Sequence, residues 1–403
     1  MSGALSHIRV LDLSRVLAGP WAGQVLADLG AEVIKIEQPG RGDDTRAWGP
    51  PYLRDASGAD TSESAYFLSA NRGKRSVTLD LGTDEGQRLA RALAAQSDIL
   101  LENFKVGGLA RYGLDYDSLS ALNPGLIYCS ITGFGQTGPY AGRPGYDFMI
   151  QAMGGLMSLT GEPDGEPQKV GVALADVLTG LYATVAVLAA LAHRERSGEG
   201  QHIDLALLDV QLASLANQAM NYLASGVSPR RLGNAHPNIV PYQAFATADG
   251  HVIVAVGNDR QFARYAEVLG CPELAADPRF ATNRSRVEHR DELVPLLQPR
   301  MATRTSAGWL ETLEAAGIPC GPINTIGQVF DDPQIRHRGM RLELPHPLAG
   351  TVPLVASPLN FSATPVEYVR PPPTLGQDTE QILGERLGLD RETLEALRAQ
   401  GVI

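Results

Sequence analysis

The first 135 residues alternate short apolar runs with amphipathic stretches. Apolar runs of four to eight residues predict buried strands, and apolar positions spaced three and four apart predict helices. The predicted strands cover residues 8–14, 31–38, 75–81, 98–103 and 126–134, and the predicted helices cover residues 21–30, 83–97 and 115–122. Strands that alternate with helices indicate βαβ units and a mostly parallel sheet, so we predict an α/β fold.

The rest of the chain has a different pattern. Longer helices are predicted first, over residues 147–159, 173–196 and about 204–224, and a turn-rich segment over residues 226–238 follows them. An α+β segment follows, then a proline-rich stretch and a closing helix. We therefore predict the first part of a large domain over 1–203, linker helices over 204–238, a small domain over 239–330, and a return linker with the C-terminal part of the large domain over 331–403.

Residues 172–192 form the most apolar stretch, but Asp176 interrupts it. We interpret this stretch as a buried helix and expect no membrane partner. The three cysteines are far apart and form no CxxC pair, which fits a reducing compartment. The first residues show no basic stretch followed by an apolar core. We expect a cytoplasmic protein.

Composition and charge exclude some classes of function. The chain has 403 residues, of which 44% are hydrophobic and 20% charged, as in ordinary globular proteins. Its 34 Lys and Arg against 45 Asp and Glu give a net charge of −11. Nucleic-acid binders usually have a basic surplus, so we expect no nucleic-acid partner. An anionic substrate would need positive charge concentrated locally.

Basic residues follow several predicted strands. Parallel sheets carry their sites beyond the carboxyl ends of the strands. The densest basic cluster covers residues 71–75, and single arginines near other strand ends are Arg15, Arg46, Arg111 and Arg143. Guanidinium groups there suit phosphate oxygens. For the cluster alone we favour a solvated charged surface, whereas several cations at one sheet edge favour an anion site.

Two motifs for cofactors or metals are weak. The segment Gly133–Gly138 matches GxGxxG after a strand, as in dinucleotide sites. The residues after it cannot open a helix, because prolines and glycines intervene. We therefore favour a turn or a ligand-facing loop over a nicotinamide or flavin site. No histidine has metal-ligand spacing to another ligand, so we predict no metal site.

Asp176 lies where an extended run becomes an apolar helix. One interpretation is an N-cap, in which the carboxylate accepts hydrogen bonds from backbone N–H groups of the first turn. The other is a nucleophile, because a helix N-terminus favours the ionised carboxylate and a carboxylate can attack a thioester. Spacing alone favours the cap.

Several stretches together resemble one family. They are LDLSRVLAGP (11–20), GAEVIKIE (30–37), GDDTR (42–46), NRGKRSVTLDL (71–81), ENFKVGGLARYGL (102–114), GYDFMIQAMGGLMSLTG (145–161), VALADVLTG (172–180), GEGQHIDLALLD (198–209) and RPPPTLGQDT (370–379). In combination, and over nearly the whole chain, they resemble the class III CoA-transferases, the family of the carnitine, bile-acid and formyl-CoA transferases. GDDTRAWGPPYL and HPNIVPYQAF point to members that act on dicarboxylates.

The resemblance implies a fold and an activity. Each protomer would have a Rossmann-like large domain and a smaller α+β domain, and two protomers would interlock as a homodimer. The implied reaction moves CoA from an acyl-CoA, with succinyl-CoA favoured, to a small carboxylic acid such as glutarate, 3-hydroxy-3-methylglutarate or itaconate. Coenzyme A is a substrate in this scheme, and no permanently bound cofactor is expected.

The resemblance also implies roles for particular residues. Asp176 matches the family nucleophile, which reverses the preference for a cap. The residues that match CoA-binding positions are Arg15, Val16, Ala18, Leu79, Asn103, Phe104, Arg111 and Arg143. The residues expected next to the substrate are Tyr146, Asp147 and His236. For the second carboxylate of a dicarboxylate, the candidates are Arg46, Arg72 and His236.

Two alternatives stay open. The related acyl-CoA racemases have His where this chain has Tyr146. Tyrosine, with an ordinary pKa of about 10, is a poor base near pH 7, which favours transfer over racemisation. The other alternative is a non-catalytic acyl-CoA-binding protein, and Asp176 argues against it.

Overall fold

The computed structural model describes residues 3–403. Met1 and Ser2, with which the predicted large domain begins, lie outside the described residues. The chain divides into two compact units. The first unit contains the residues up to Leu156, Val170–Leu223 and Pro333–Ile403, and the second contains Met157–Lys169 and Ala224–Asp332. Residues 204–223, predicted as linker helices, belong to the first unit.

The described residues form thirteen strands and eighteen α-helices. The strands are β1 (Arg9–Asp12), β2 (Glu32–Glu37), β3 (Tyr52–Arg54), β4 (Asp60–Ser64), β5 (Lys74–Thr78), β6 (Ile99–Glu102), β7 (Ile127–Thr132), β8 (Gln201–Ala206), β9 (Tyr242–Ala246), β10 (His251–Ala255), β11 (Cys320–Pro322), β12 (Arg341–His346) and β13 (Gly350–Val355). The helices are α1 (Ala18–Asp28), α2 (Ala65–Ser69), α3 (Asp84–Ala95), α4 (Tyr116–Leu122), α5 (Asp147–Met153), α6 (Leu156–Leu159), α7 (Leu174–Ser197), α8 (Leu207–Ala213), α9 (Ala216–Ser225), α10 (Asp259–Val268), α11 (Glu273–Ala276), α12 (Asn283–Glu288), α13 (Arg290–Met301), α14 (Ser306–Ala315), α15 (Ile326–Asp331), α16 (Pro333–His337), α17 (Thr379–Leu387) and α18 (Arg391–Ala399).

A six-stranded parallel sheet lies at the centre of the first unit, in the order β5-β2-β1-β6-β7-β8. It confirms the predicted α/β class. One face packs against α3, α4, α17 and α18, and the other against α1, α5, α7 and α8. Because both faces are covered, the central strands are almost continuously apolar, and this is why their positions are readable from sequence.

The strand order reverses at β1. From β1 the chain moves outward through β2 to β5, and then returns to the other side of β1 with β6. The chain therefore leaves β1 toward one side of the sheet and leaves β6 toward the other side. The loops after these two neighbouring strands separate and leave a crevice between them. In open α/β sheets such a reversal is where ligands bind.

Strand β8 is the main departure from the predicted elements. Residues 204–206 were predicted as the start of a helix, and this is wrong because they complete β8, which pairs with β7 from Gln201 to Ala206. His202 and Asp204 are exposed, so this edge strand lacks the continuous apolar signal of the central strands. The predicted helices over 147–159 and 204–224 are each broken in two, at Gly154–Gly155 and after Ala213.

Helix α7 packs along α1 in the first unit. A Cβ at Gly180 would lie 2.7 Å from the backbone oxygen of Ala18, so only glycine permits this approach. The contact places the first turns of α1 and α7 side by side. Among the described residues, α7 is the one helix with the length and apolar composition to cross a membrane, and here its Ala175, Ala183 and Val187 are buried.

The C-terminal helices complete the core of the first unit. Ile382 and Leu383 of α17 and Leu394 and Leu397 of α18 are buried in the cluster that includes Leu93 of α3. The β12–β13 hairpin, from the proline-rich stretch, forms a smaller apolar cluster with Leu68.

The second unit has its own core. Its antiparallel sheet has the order β11-β10-β9. Helices α10, α13 and α14 cover it, with Phe245, Phe262, Tyr265, Leu297 and Trp309 buried between them. The α+β character predicted for residues 240–330 is thus present.

Candidate active site

Two adjacent cavities lie beyond the carboxyl ends of the parallel strands, at the reversal of strand order. Each has a volume of about 420 Å³. Arg15, Asp44 and Phe104 line both, so the two form one elongated cleft. We call the cavity that contains Asp176 the inner cavity and the cavity that contains Leu79 the outer cavity.

The loop after β1 forms the wall between the two cavities. Arg15, Val16 and Ala18, all predicted to bind CoA, line the inner cavity there. Val16 has a backbone φ of 72°, in the left-handed region that branched residues avoid. This turn leads directly into α1, whose N-cap residue Leu17 provides no side-chain hydrogen bond. The first N–H groups of α1 therefore lie at the edge of the cleft without a side-chain cap.

Asn103 and Phe104, at the end of β6, also line the inner cavity. The Asn103 amide is already engaged, since its Oδ1 accepts from the Arg15 N–H at 2.9 Å and its Nδ2 donates to the Arg15 carbonyl at 2.6 Å. Its contribution is therefore to fix the Arg15 backbone. The Arg15 guanidinium lies 5.4 Å from the centre of the Phe104 ring, within cation–π range.

Exposed guanidinium groups gather at the outer cavity. Arg15, Arg41 and Arg111 line it, with the buried side chain of Leu79 beside them. Asp44 bridges two of these cations, 3.1 Å from Arg15 and 2.8 Å from Arg41. Four carboxylates, those of Glu37, Asp43, Asp44 and Asp80, also line this cavity, so its lining has no excess of positive charge. The exposed guanidinium groups are the part that suits the phosphates of a ligand, with an apolar surface beside them.

The far wall of the inner cavity comes from the segment after β7. A Cβ at Gly133 would lie 2.5 Å from the Gly145 Cα, so these two glycines permit close packing of the wall. The start of the glycine-rich segment, for which a turn or a ligand-facing loop was predicted, thus lines the inner cavity at Gly133. Arg143 and Tyr146 lie in the same wall, and Tyr146 is 62% exposed. The Arg143 guanidinium stacks 4.6 Å from the ring centre of Tyr140.

Asp176 faces the inner cavity from the first turn of α7. The helix begins at Leu174, so Asp176 is its third residue and not its cap, and the N-cap interpretation is wrong. No described residue donates a hydrogen bond to its carboxylate. Burial, and then the nearby charge of Asp147, raise the pKa of Asp176 to about 7. The carboxylate is thus desolvated, basic and open to the cavity.

Asp147 supplies the missing cap from another helix. Its Oδ1 accepts hydrogen bonds from the N–H groups of Ala175 at 2.8 Å and Asp176 at 3.4 Å. Gln151 donates to its other oxygen at 2.7 Å and so fixes its orientation. Asp147, predicted next to the substrate, therefore holds the helix start that carries Asp176.

Tyr66 is a neighbour of Asp176 that the sequence analysis missed. Burial, followed by the charges of Asp176, Asp147 and Asp43, raises the pKa of Tyr66 to about 12. Its phenol is therefore neutral near pH 7 and has a proton to donate. No spacing in the sequence connects α2 with α7, so only the fold brings these residues together.

The basic segment 71–75 is not a solvated surface and does not line the cleft. The Arg72 guanidinium pairs with Asp28 at 2.6 Å, and the Lys74 ammonium pairs with Asp12 at 2.9 Å. All four side chains are buried. These cations form buried ion pairs, so the expectation of a solvated charged surface is wrong.

Arg46 and Arg72, the candidates for holding a second carboxylate, are likewise engaged. Arg46 donates two hydrogen bonds of 2.7 Å to Glu37 and lies 3.6 Å from the centre of the Phe67 ring. It is buried, as is Arg72 in its own pair. Neither guanidinium is available to a substrate, and these two candidates are wrong.

His236 lies in the second unit. Its Nδ1 accepts from the Asn238 N–H at 3.0 Å, and its ring packs against Tyr242 at 5.2 Å. Burial, and then the charge of Arg290, lower the pKa of His236. The imidazole is therefore neutral near pH 7, and its expected place beside the substrate stays a prediction. Within residues 3–403, no group of His, Cys, Asp and Glu side chains is arranged to hold a metal ion.

Comparison with known proteins agrees with this cleft. The model of CoA-transferase family III matches residues 5–379. A succinate–glutarate CoA-transferase from Agrobacterium fabrum is 55% identical over 96% of both chains. A succinyl-CoA:glutarate CoA-transferase from Mus musculus is 46% identical over 99% of this chain and 90% of its own. The crystal structure of a CaiB/BaiF family protein from Brucella suis has a TM-score of 0.84 and 54% identity, covering 96% of this chain and 100% of that one.

Fold and cleft thus define an enzyme of acyl-CoA chemistry, with exposed arginines in the outer cavity and a carboxylate in the inner one. The chain belongs to CoA-transferase family III. Its substrates are CoA thioesters and carboxylates, as the predicted transferase class requires.

Proposed function

We propose that the protein transfers CoA from succinyl-CoA to glutarate, with Asp176 as the nucleophile. The observation that carries the catalytic part is the Asp176 carboxylate, which is desolvated, without a hydrogen-bond donor among the described residues, and open to the inner cavity. The substrates are supported by the names of the relatives from Agrobacterium fabrum and Mus musculus, both of which act on succinate or succinyl-CoA and glutarate.

The cleft supports one orientation of CoA. The phosphates would lie against Arg15, Arg41 and Arg111 in the outer cavity, with the adenine near Leu79. The thioester end would pass the wall formed by Arg15 and Phe104 and enter the inner cavity. Arg15 lines both cavities and would therefore contact the ligand along this passage.

The reaction would begin when an Asp176 oxygen attacks the carbonyl carbon of succinyl-CoA. The C–S bond breaks, CoA leaves as the thiolate, and a succinyl–aspartyl anhydride forms. The thiolate then attacks the aspartyl carbonyl, which releases succinate and leaves an aspartyl-CoA thioester. Because CoA stays in the cleft, this second attack is effectively intramolecular.

The second half repeats these steps in reverse with glutarate. Its carboxylate attacks the aspartyl-CoA carbonyl and expels the thiolate, so that a glutaryl–aspartyl anhydride forms. The thiolate attacks the glutaryl carbonyl, which yields glutaryl-CoA and restores the Asp176 carboxylate. One thioester is exchanged for another, so no ATP is consumed.

The surroundings of Asp176 oppose its ionisation, so the carboxyl holds its proton up to about pH 7. Burial makes the carboxylate basic, and bases of higher pKa are stronger nucleophiles.

The test is to incubate the purified protein with succinyl-CoA and a panel of free acids without ATP, and to identify new CoA esters by mass spectrometry. The panel contains glutarate, 3-hydroxy-3-methylglutarate, itaconate and a monocarboxylate control. Glutaryl-CoA as the preferred product supports the proposal. A stronger signal for another acid overturns the acceptor, and no new ester with any acid overturns the donor as well.

A parallel incubation tests the racemase alternative. A 2-methylacyl-CoA is supplied in D₂O, and the α-position is followed by NMR. We expect no deuterium uptake, because exposed Tyr146 occupies the position of the racemase histidine. Uptake at the rate of transfer would favour the racemase.

We also propose that two copies interlock as a homodimer in the cytoplasm. Exposed apolar side chains on α7 and α9 support an interface there; they are Leu181, Tyr182, Val185, Met220, Tyr222 and Leu223. Light scattering on the purified protein should give twice the mass of 43.0 kDa, and a monomer would overturn this proposal.

A further inference from the structure

The loop between Ser14 and Leu17 holds a conformation that its sequence does not favour. Val16 has a φ of 72°, and a branched side chain in this region is strained. Such a residue keeps its conformation only where surrounding groups enforce it. Because Val16 lines the inner cavity together with Asp176, whatever holds this loop also shapes the site.

Three side chains hold the backbone on both sides of the strained residue. The Lys35 ammonium donates to the Ser14 carbonyl at 2.7 Å, and the Asp43 Oδ1 accepts from the Val16 N–H at 3.3 Å. Between them, the Asn103 amide bonds both the N–H and the carbonyl of Arg15.

Lys35 and Asp43 are themselves joined in the interior. The Lys35 ammonium lies 2.9 Å from the Asp43 Oδ2, and both side chains are fully buried. The pKa of Asp43 is lowered to about 2: the charge of Lys35 and hydrogen bonds from Thr45 and Lys35 outweigh the effect of burial. The pKa of Lys35 is raised, because the charges of Asp43, Asp12 and Glu37 outweigh burial in the same way. Both groups are therefore charged near pH 7.

A buried ion pair is weak evidence for stability, because removing two charges from water offsets most of their attraction. Here each partner also bonds one side of a strained backbone turn. We propose that the buried Lys35–Asp43 pair is a positioning device that holds Val16 in the left-handed conformation and so keeps the Ser14–Leu17 loop ready to bind CoA. This inference rests on the proposed place of CoA in the cleft.

Removing one partner should release the turn. In Asp43→Ala the Val16 N–H loses its acceptor, and valine then relaxes toward negative φ. Because the left-handed conformation disfavours valine, we expect the affinity for free CoA to fall about tenfold or more. With saturating succinyl-CoA, kcat should recover to within a few fold, since Lys35 and Asp43 line the outer cavity and not the inner cavity with Asp176.

A double-mutant cycle with Val16→Gly separates positioning from general damage. Glycine adopts positive φ about as readily as negative φ, so it needs no enforcement. In the Val16→Gly background, Asp43→Ala should therefore weaken CoA binding by no more than about threefold. A merely structural role for Asp43 would give the same loss in both backgrounds.

Asp28→Asn is the matched control. It removes the charge from another buried pair of the same unit, with Arg72 at 2.6 Å, and Asp28 lines neither cavity. It should lower the melting temperature and leave the affinity for CoA unchanged. Equal weakening in this variant would overturn the proposal.

The readout is isothermal titration with free coenzyme A, which does not depend on which acyl groups are exchanged. A wrong substrate proposal therefore leaves this result interpretable. Full loss of affinity in the Asp43→Ala/Val16→Gly double variant, or no loss in Asp43→Ala alone, would overturn the inference. If Asp43→Ala does not fold, Asp43→Asn replaces it in the same cycle, because it removes the charge that pairs with Lys35 and keeps the volume of the side chain.

Discussion

The carboxylate of Asp147 accepts a hydrogen bond from the backbone N–H of Asp176, and at the same time its charge raises the pKa of the Asp176 carboxyl. One residue thus fixes the position of the nucleophile and adjusts its proton affinity. The two effects have separate causes: the first needs only an oxygen acceptor, and the second needs a negative charge. Substitution at position 147 can separate them.

Replacing Asp176 by Ala should abolish CoA transfer, with a loss of roughly a thousandfold or more, because no other group provides the attacking oxygen. Free CoA should still bind, since its contacts are in the other parts of the cleft. The exposed acid Asp209 on α8 provides the control, as Asp209→Ala should transfer normally. Mass spectrometry of the intact protein after incubation with succinyl-CoA should show the covalent CoA adduct in the wild type only. Near-normal transfer by Asp176→Ala would refute the assignment.

The pH dependence of kcat/KM should report the ionisation of Asp176 in the free enzyme. The pKa of Asp176 is raised to about 7, and attack requires the carboxylate. The rate should therefore fall tenfold per unit of pH below about 7 and be level above it, until another group titrates. Initial rates between pH 5 and 9 test this. A level profile down to pH 5 would mean that the carboxyl has its ordinary pKa.

Asp147→Asn should move the acid limb of that profile to lower pH. The asparagine oxygen still accepts from Ala175, so α7 keeps its start, but the like charge is gone. Burial is the larger cause of the raised pKa of Asp176, so the midpoint should stay above the ordinary value. Asp147→Ala is the comparison, because it also removes the acceptor, at a cost of about 1 kcal/mol of stability. A midpoint unchanged in Asp147→Asn would contradict the charge effect.

Stability should change with pH through the same carboxyl group. The folded protein binds the Asp176 proton more tightly than the unfolded chain, so the wild type loses stability as pH rises toward 7. Asp176→Asn does not titrate, and it should therefore become more stable than the wild type by on the order of 2–4 kcal/mol above pH 7. Below pH 4 the difference should vanish. Melting temperatures of both proteins across this pH range give the measurement. A stability difference that does not change with pH would show that the pKa of Asp176 is the same in the folded and the unfolded chain.

Arg111→Ala should raise KM for succinyl-CoA about ten- to a hundredfold and leave kcat within a few fold, because a charge-assisted hydrogen bond to phosphate is lost. Arg111 is exposed at the outer cavity. Arg88 is the control, since it is exposed on α3 and pairs with Glu85 at 2.6 Å. Its alanine variant should have normal kinetics. An unchanged KM in Arg111→Ala would exclude this guanidinium from the CoA site.

The elements that could be predicted from the sequence are those whose burial makes a regular pattern. Strands β1, β2, β5, β6 and β7 and helices α3 and α7 are within a few residues of their predicted bounds, because each is apolar on the sides that pack. Strand β8 was missed for the opposite reason, as its exposed His202 and Asp204 give an edge strand no apolar run.

The site was less accessible to sequence reasoning. Asp176 was assigned only through resemblance, because the spacing around it favours a cap. In a polar stretch of sequence, a charged residue that is buried in an ion pair cannot be distinguished from one that is exposed. The pairing of Arg46 with Glu37 therefore could not be predicted. Tyr66 and Asp176 are more than a hundred positions apart in the chain, and only the packing of the folded unit makes them neighbours.

The core of the first unit is completed by the last helices of the chain, so it stays incomplete until the whole chain has been synthesised. Arg75 of β5 pairs with Asp378 across 303 positions, and α17 and α18 cover the face of the sheet on which α3 lies. A ribosome completes β5 long before it has made this cover. During that interval Leu89 and Leu93 of α3 lack part of their native contacts. Until the final helices emerge, the incomplete chain therefore exposes apolar surface, and such surface favours aggregation over folding.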